Sequence, residues 1–203
     1  MTTTIIANYY NSKEFLDLTS SLEDDINVII YNKSSENLTS LKDNHIVINS
    51  ENIGREGHTY LTYIIENYEK LSDVNVFIQD DFYNHLFNID YFKNNFNINK
   101  NNDFYQFPCS WRKGPEAIPF SRTIVDGYLD LGFFKNNDIK KFAELFKVEL
   151  PHVYTTETCA HFLVSRNRIL RHNKEKYKKI LEWLLSNEIN GYLLEHTWKI
   201  LFM

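Results

Sequence analysis

Short apolar runs recur along the first eighty residues of this chain, and each stops abruptly at polar side chains. The sharpest is Val76-Phe-Ile-Gln-Asp-Asp81, in which the apolar stretch ends at two adjacent carboxylates. Thr4-Ile-Ile-Ala-Asn-Tyr-Tyr10, Asn27-Val-Ile-Ile-Tyr-Asn-Lys33 and His45-Ile-Val-Ile-Asn49 share its form. Apolar runs of this length, rich in β-branched residues, read as strands buried on both faces. Between them, Lys13 to Leu22 spaces Phe15, Leu16, Leu18 and Leu22 as a short helix. His58 to Leu71 sets Leu61, Ile64, Ile65, Tyr68 and Leu71 on one helical face. Strands joined by helical or loop crossovers imply an α/β fold: a mostly parallel, doubly wound central sheet flanked by helices.

The second half is less regular. Asp103 to Trp111 is expected to hold a strand, and Arg112 to Arg122, with Pro115 and Pro119, a loop. Asn137 to Phe146 reads as a helix stopped near Pro151. Cys159 to Arg166 reads as a late strand leading into a helix, followed by helices over Lys174 to Leu185 and Ile189 to Leu201. No internal repeat or long linker divides the 203 residues, so a single domain is expected.

A net charge of −5 argues against nucleic acid as a general partner, because phosphate backbones demand clustered Lys and Arg. The basic stretch from Arg166 to Lys179 alternates with apolar residues at helical spacing and reads as a solvated helix face. Cys109 and Cys159 form no disulfide framework or zinc-ligand spacing and fit a reducing compartment. Thr2 to Ala7 is too short and lacks the basic flank of a signal peptide, and no apolar run reaches membrane-spanning length. A cytoplasmic location is the expectation. The 15 Phe and 13 Tyr, together with abundant Asn, could line a sugar or nucleotide site. Asn also crowds evident loops, which points to compositional bias for most of it.

The chemistry-bearing residues follow the predicted strands: Asn8 to Asn11, Asn32-Lys33, Asn52 to His58, and Gln79-Asp80-Asp81. Parallel strands gather such ends at one sheet edge, where ligands of open α/β sheets bind. Asp80 and Asp81 can share a hard divalent cation that neutralises a diphosphate, and either can equally cap a following helix. Gly54-Arg-Glu-Gly-His58 stands directly before a helix, where free N–H groups and the Arg55 fork suit an anion. The alternative is a tight turn in which Arg55 and Glu56 pair ordinarily. The glycine spacing matches neither the dinucleotide fingerprint nor the P-loop. His58, His152, His161 and His196 lack metal-ligand spacing and default to structural roles. Glu195, beside Trp198, is either a desolvated base or an exposed helix residue. Cys159 and His161 lack the third partner of a nucleophile site, and Asp126 and Asp130 remain open as acceptor contacts.

Asn52-Ile-Gly-Arg-Glu-Gly-His-Thr-Tyr-Leu61, Ile64 to Tyr68, Val76 to Gln79, Phe162 to Arg166 and Gly191 to Trp198 resemble an uncharacterised family spread over fungi, algae and large DNA viruses. The strongest motifs are Gly54 to Tyr60 and Glu195 to Trp198. More loosely, the order of elements and the acid pair resemble GT-A-type glycosyltransferases, including the small domain of a chlorella-virus-encoded glycosyltransferase. That resemblance implies a nucleotide-binding half over residues 1–82 and an acceptor-side half over 83–203. It implies Mn²⁺ or Mg²⁺ held by Asp81 and Asp80 against a nucleotide-diphosphate sugar, expected to be a UDP-sugar, with a glycan as acceptor. Gln79 replaces the first acid of that family's metal motif. Asn8, Tyr9, Asn32 and Lys33 would lie near base or ribose, and Arg55, Glu56, His58 and Gln79 near the phosphates or donor sugar. Asp80, Glu157 and Glu195 compete as the catalytic base. The alternatives are a metal-dependent phosphohydrolase or nucleotidyltransferase and a non-catalytic glycan-binding protein.

Overall fold

The computed structural model describes residues 1–38, 42–80, 88–110, 121–130, 135–136 and 138–203. Four of the predicted strands form: β1 (Thr3–Tyr9), β2 (Ile26–Asn32), β3 (His45–Asn49) and β4 (Val74–Gln79). They pair in parallel in the order β3-β2-β1-β4. Two later strands extend the sheet beyond β4. β10 (Phe162–Ser165) runs antiparallel to β4, and β5 (Phe104–Gln106) runs antiparallel to β10. The result is a six-stranded, mostly parallel sheet in a Rossmann-like α/β fold.

Side chains alternate across this sheet and divide the core. Ile5, Ala7 and Tyr9 of β1 and Val76 and Ile78 of β4 pack with α1 (Lys13–Ser20) and α3 (Ile89–Asn99) through Phe15, Leu18, Phe92 and Phe96. Ile6 and Phe77 face the other way, against α2 (Arg55–Glu66), α6 (Lys174–Ser186) and α7 (Ile189–Phe202). The rings of Tyr60, Phe162, Trp198 and Phe202 fill that second core. Phe77 and Phe162 lie 5.0 Å apart across the β4–β10 pair, and Phe162 and Trp198 5.2 Å apart. Ser12, Asn88 and Asn173 cap α1, α3 and α6 by accepting from an N–H three residues on.

The remaining elements form an annex. β6 (Ser121–Val125) pairs with β9 (Val153–Glu157), and β7 (Leu129–Asp130) with β8 (Lys135–Asn136). Helix α4 (Asp138–Phe146) packs Phe142 and Phe146 on Trp183, and the short α5 (Arg166–Ile169) follows β10 directly. Two boundaries differ from the sequence expectation. Helix α2 starts at Arg55 rather than His58, and it stops at Glu66, so Tyr68 and Leu71 pack from the turn beyond it. The β6–β9 ribbon was not anticipated. Asp81 and most of the expected Arg112–Arg122 loop lie outside the described residues.

Candidate functional site

Strand β1 has β2 on one side and β4 on the other, so chain connections leave it in both directions. The ends of β1 and β4 therefore flank the switch point where such sheets take ligands. Asp80 stands at that point. Its Oδ2 accepts from the amides of Tyr10 and Asn11, each at 2.7 Å, while its own amide donates to the Asn8 carbonyl. The carboxylate thus clamps the turn leaving β1. Asn8, paired with Gln79 across the two strands, accepts from the Thr59 hydroxyl at 2.8 Å and so binds α2 to the same edge. Gln79 donates its side-chain amide to the Cys159 carbonyl at 3.1 Å.

The β2 side is held by internal bonds. Tyr9 is buried, and its hydroxyl reaches Glu36 at 3.2 Å. Asn32 donates to the Glu36 carbonyl and accepts from Ser34, shaping the turn after β2. Lys33 is only 6 % exposed and donates Nζ to the carbonyls of Ile53 and Arg55. Burial lowers its pKa to about 8, against the opposing pull of Glu56. Half-buried His58 is held below its ordinary pKa by burial and then by Lys33, which favours the neutral ring.

The loop that Lys33 anchors has uncommon backbone geometry. Gly54 and Arg55 both adopt positive φ, 59° and 54°, a region that costs a side-chain-bearing residue about 1–2 kcal/mol. The distortion turns the Arg55 side chain over α7. Its guanidinium sits 4.2 Å above the Tyr192 ring, Nη2 lies 2.8 Å from the Glu195 carboxylate, and Nε lies 3.6 Å from Glu56. Gly191 leaves room for this crossing, because a Cβ there would stand 2.8 Å from Arg55 Cδ.

Glu56 and Glu195 have side chains only 4 % and 12 % exposed, whereas Arg55 is 41 % exposed. Burial, then the neighbouring Glu56 carboxylate, pushes the Glu195 carboxyl well above the usual range, with Arg55 pulling the other way. The fully buried Tyr60 hydroxyl is pushed up by burial and then by Glu56, Glu195 and Asp80. Glu157 ends β9. Its carboxylate accepts from the Cys109 amide at 3.4 Å, and burial raises its pKa.

Of the residues singled out from sequence, the fold joins Arg55, Glu56 and Glu195 directly and sets Asn8, Gln79 and Asp80 on neighbouring strand ends. Glu157 bonds the Cys109 amide, while Tyr9 and Asn32 turn toward Glu36. The sequence reading missed Tyr192, Tyr60 and the thiol of Cys109. The spacing of Tyr192 and Glu195, one helical turn apart, was the available signal for the first. Beside Arg55 opens a cleft of about 650 Å³ between Asn52–Gly54 and the α6–α7 junction, with Leu184, Leu185 and Tyr192 in its wall.

Among the described residues no group of three or more His, Cys, Asp or Glu side chains could hold a metal ion. Asp80 spends one oxygen on two backbone amides, and Asp81 lies outside the described residues. The described residues do not fit a Mn²⁺ or Mg²⁺ site by themselves. Nor is any helix among them long and apolar enough to cross a membrane.

The family model DUF3431, described as a protein of unknown function, matches residues 5–203. The chain belongs to the DUF3431 family. Comparison with curated proteins gives no match. The DUF3431 match spans both the strand-end cluster and the Arg55–Glu195 contact, so both belong to the family region of the chain.

Proposed function

We propose that this DUF3431 chain is a glycosyltransferase that moves a hexosyl or deoxyhexosyl group from a nucleotide-diphosphate sugar, a UDP-sugar, to a hydroxyl of a glycan. The observation that carries the reading is the buried Glu195 carboxylate paired at 2.8 Å with the partly exposed Arg55, beside Glu56 and on the same sheet edge as the β1–β4 switch point. Glycosyl transfer to a hydroxyl needs a group that takes the acceptor proton as the C–O bond forms. Burial raises the proton affinity of Glu195, while Arg55 favours the ionised form that can take a proton. Glu195, ionised against Arg55, is the base in this scheme, and Glu56 is the neighbouring carboxylate that raises its proton affinity. Arg55, the exposed member of the cluster, orients Glu195 and meets negative charge on the donor. Asp80 holds the turn after β1 that borders the nucleotide.

The experiment is thermal stabilisation by UDP, GDP, CDP and dTDP, each with and without Mn²⁺, followed by assay of UDP release from UDP-sugars with and without oligosaccharide. A ligand at a hundredfold excess over Kd raises stability by about 2.7 kcal/mol. The expected result is a shift with UDP and acceptor-dependent UDP release. Nucleotide turnover without acceptor would instead mark a phosphohydrolase or nucleotidyltransferase. A second reading, a glycan binder without catalysis, is favoured by the commitment of Asp80 to backbone amides, and absence of any nucleotide shift would select it.

A further inference from the structure

The cleft beside Arg55 has two fixed walls. On one, Lys33 Nζ holds the carbonyls of Ile53 and Arg55 and so sets the loop that leads into α2. On the other, the Asn190 side-chain amide donates to the Trp183 carbonyl at 2.6 Å and ties the α6–α7 junction. A preformed cleft of about 650 Å³ has the size of a small-molecule site. Its surface is of two kinds. Ile53, Leu185 and Tyr192 are large apolar side chains that line it and are all exposed. Asn52, Asn187 and Glu188 line it with polar groups that the protein leaves unused. Among the described residues the side chains of Asn52 and Glu188 make no hydrogen bond or ion pair, and Asn187 uses only its Oδ1, on the Ile189 amide at 3.0 Å.

Charge narrows the ligand further. Arg55 is the one cation in the wall among the described residues, and Glu195 at 2.8 Å and Glu56 at 3.6 Å already face it. Glu188 adds a carboxylate without a counter-ion. A second anion on the ligand would find no spare positive charge here. A wholly apolar ligand would bury the Asn52 and Asn187 amides and the Glu188 carboxylate unmatched, which is costly.

We propose that this cleft is the acceptor subsite and takes a neutral sugar residue, a hexose or 6-deoxyhexose at the end of a glycan. A pyranose ring has an apolar C–H face and a rim of hydroxyls. The C–H face packs on Tyr192, Leu185 and Ile53. The hydroxyls donate to Glu188 and to Asn52 Oδ1, and accept from the amides of Asn52 and Asn187. Arg55 covers one face of the Tyr192 ring, so the sugar meets the remainder. The same Arg55 joins the cleft wall to Glu195, which sets the acceptor beside the base and leaves the donor's phosphates to the strand-end side. The acceptor role rests on the transferase reading, whereas the preference for a neutral sugar rests on the cleft alone.

The test is saturation-transfer NMR on the full chain without nucleotide. The ligands are the methyl glycosides of glucose, galactose, mannose, N-acetylglucosamine, fucose and rhamnose, with glucuronic acid as the anionic comparison. The expected result is binding of at least one neutral glycoside and none of glucuronate. Leu185→Trp fills the cleft from an exposed position that should leave the fold intact, and it should weaken binding by about tenfold or more. Glu188→Ala should act in the same direction, and Glu188→Gln should recover part of the loss. Absence of a signal from every neutral glycoside, preference for glucuronate, or binding unchanged in both Leu185→Trp and Glu188→Ala would each overturn the proposal. A UDP shift without sugar binding would remove the subsite and keep the transferase. Sugar binding without any nucleotide shift would keep the sugar site and remove its acceptor role.

Discussion

Arg55 and Glu195 stand 2.8 Å apart and join the distorted start of α2 to the middle of α7. The two motifs that carry the sequence resemblance, Gly54–Tyr60 and Glu195–Trp198, therefore form one structural unit. Removing either partner strands charge in a low-dielectric place. Breaking a buried pair costs about 3–5 kcal/mol, but the partial exposure of Arg55 reduces this, so Arg55→Ala should cost about 1–3 kcal/mol. Glu195→Gln should cost less, because the amide oxygen still accepts from Arg55. Urea unfolding of both single variants and the double variant measures the coupling, and strictly additive losses would show that the contact contributes nothing.

The raised pKa of Glu195 makes stability depend on pH with a defined sign. Between the ordinary glutamate pKa and the higher value in the fold, the native state holds a proton that the unfolded chain releases. Stability from this group is full at low pH and falls as pH rises through that window. His196 acts oppositely. Burial lowers its pKa to about 4, so its contribution rises with pH up to the ordinary histidine range. The informative quantity is the difference between wild type and Glu195→Gln across about pH 5 to 8, where wild type should lose its advantage as pH rises. A flat difference would mean that Glu195 carries no retained proton.

Asp80 accepts two backbone hydrogen bonds with one charged oxygen. Asp80→Ala should cost about 2–4 kcal/mol, from the loss of two charge-assisted bonds and two stranded amides. Asp80→Asn should recover about half of that loss. The predicted local signature is faster hydrogen exchange at Tyr10 and Asn11 in the alanine variant. Unchanged exchange there would refute the clamp.

Substitutions at two glycines should reach the site by different routes. Gly191→Ala places a methyl group 2.8 Å from Arg55 Cδ and should displace the guanidinium, costing about 1–3 kcal/mol. Gly54→Ala forces φ 59° on a residue with Cβ and adds a 2.8 Å clash with His58 Cβ, for a loss of about 1–2 kcal/mol or more. Gly191→Ala should abolish the energetic coupling between positions 55 and 195 in the same double-variant cycle. Survival of that coupling would place Arg55 elsewhere in solution.

The parallel strands were legible because β1, β2 and β4 are buried on both faces and read as continuous apolar runs. The β6–β9 ribbon was not. Ser121–Val125 and Val153–Glu157 alternate buried with exposed residues over only five positions, and each becomes a strand only by pairing with the other. The start of α2 was misplaced because a Gly-Arg-Glu-Gly run has the composition of a loop, whereas Glu56 and Gly57 are buried in the first helical turn. Glu195 looked better suited to solvent, since its partner Arg55 is distant in the chain. The spacing of the acids was visible, but the contacts that shift their proton affinity were not.

Strand β4 gains its second neighbour from β10, which is synthesised long after it. A nascent chain that has left the ribosome only as far as α3 can pair β1 with β2 and β4, yet the far side of β4 still presents bare amides and carbonyls beside Val76 and Phe77. Such an edge invites pairing with other chains during translation. The last third of the polypeptide is thus a guard as well as a wall of the site, and slowed translation between Gln79 and Phe162 should send more of this protein to chaperones or aggregates than a pause after Ser165.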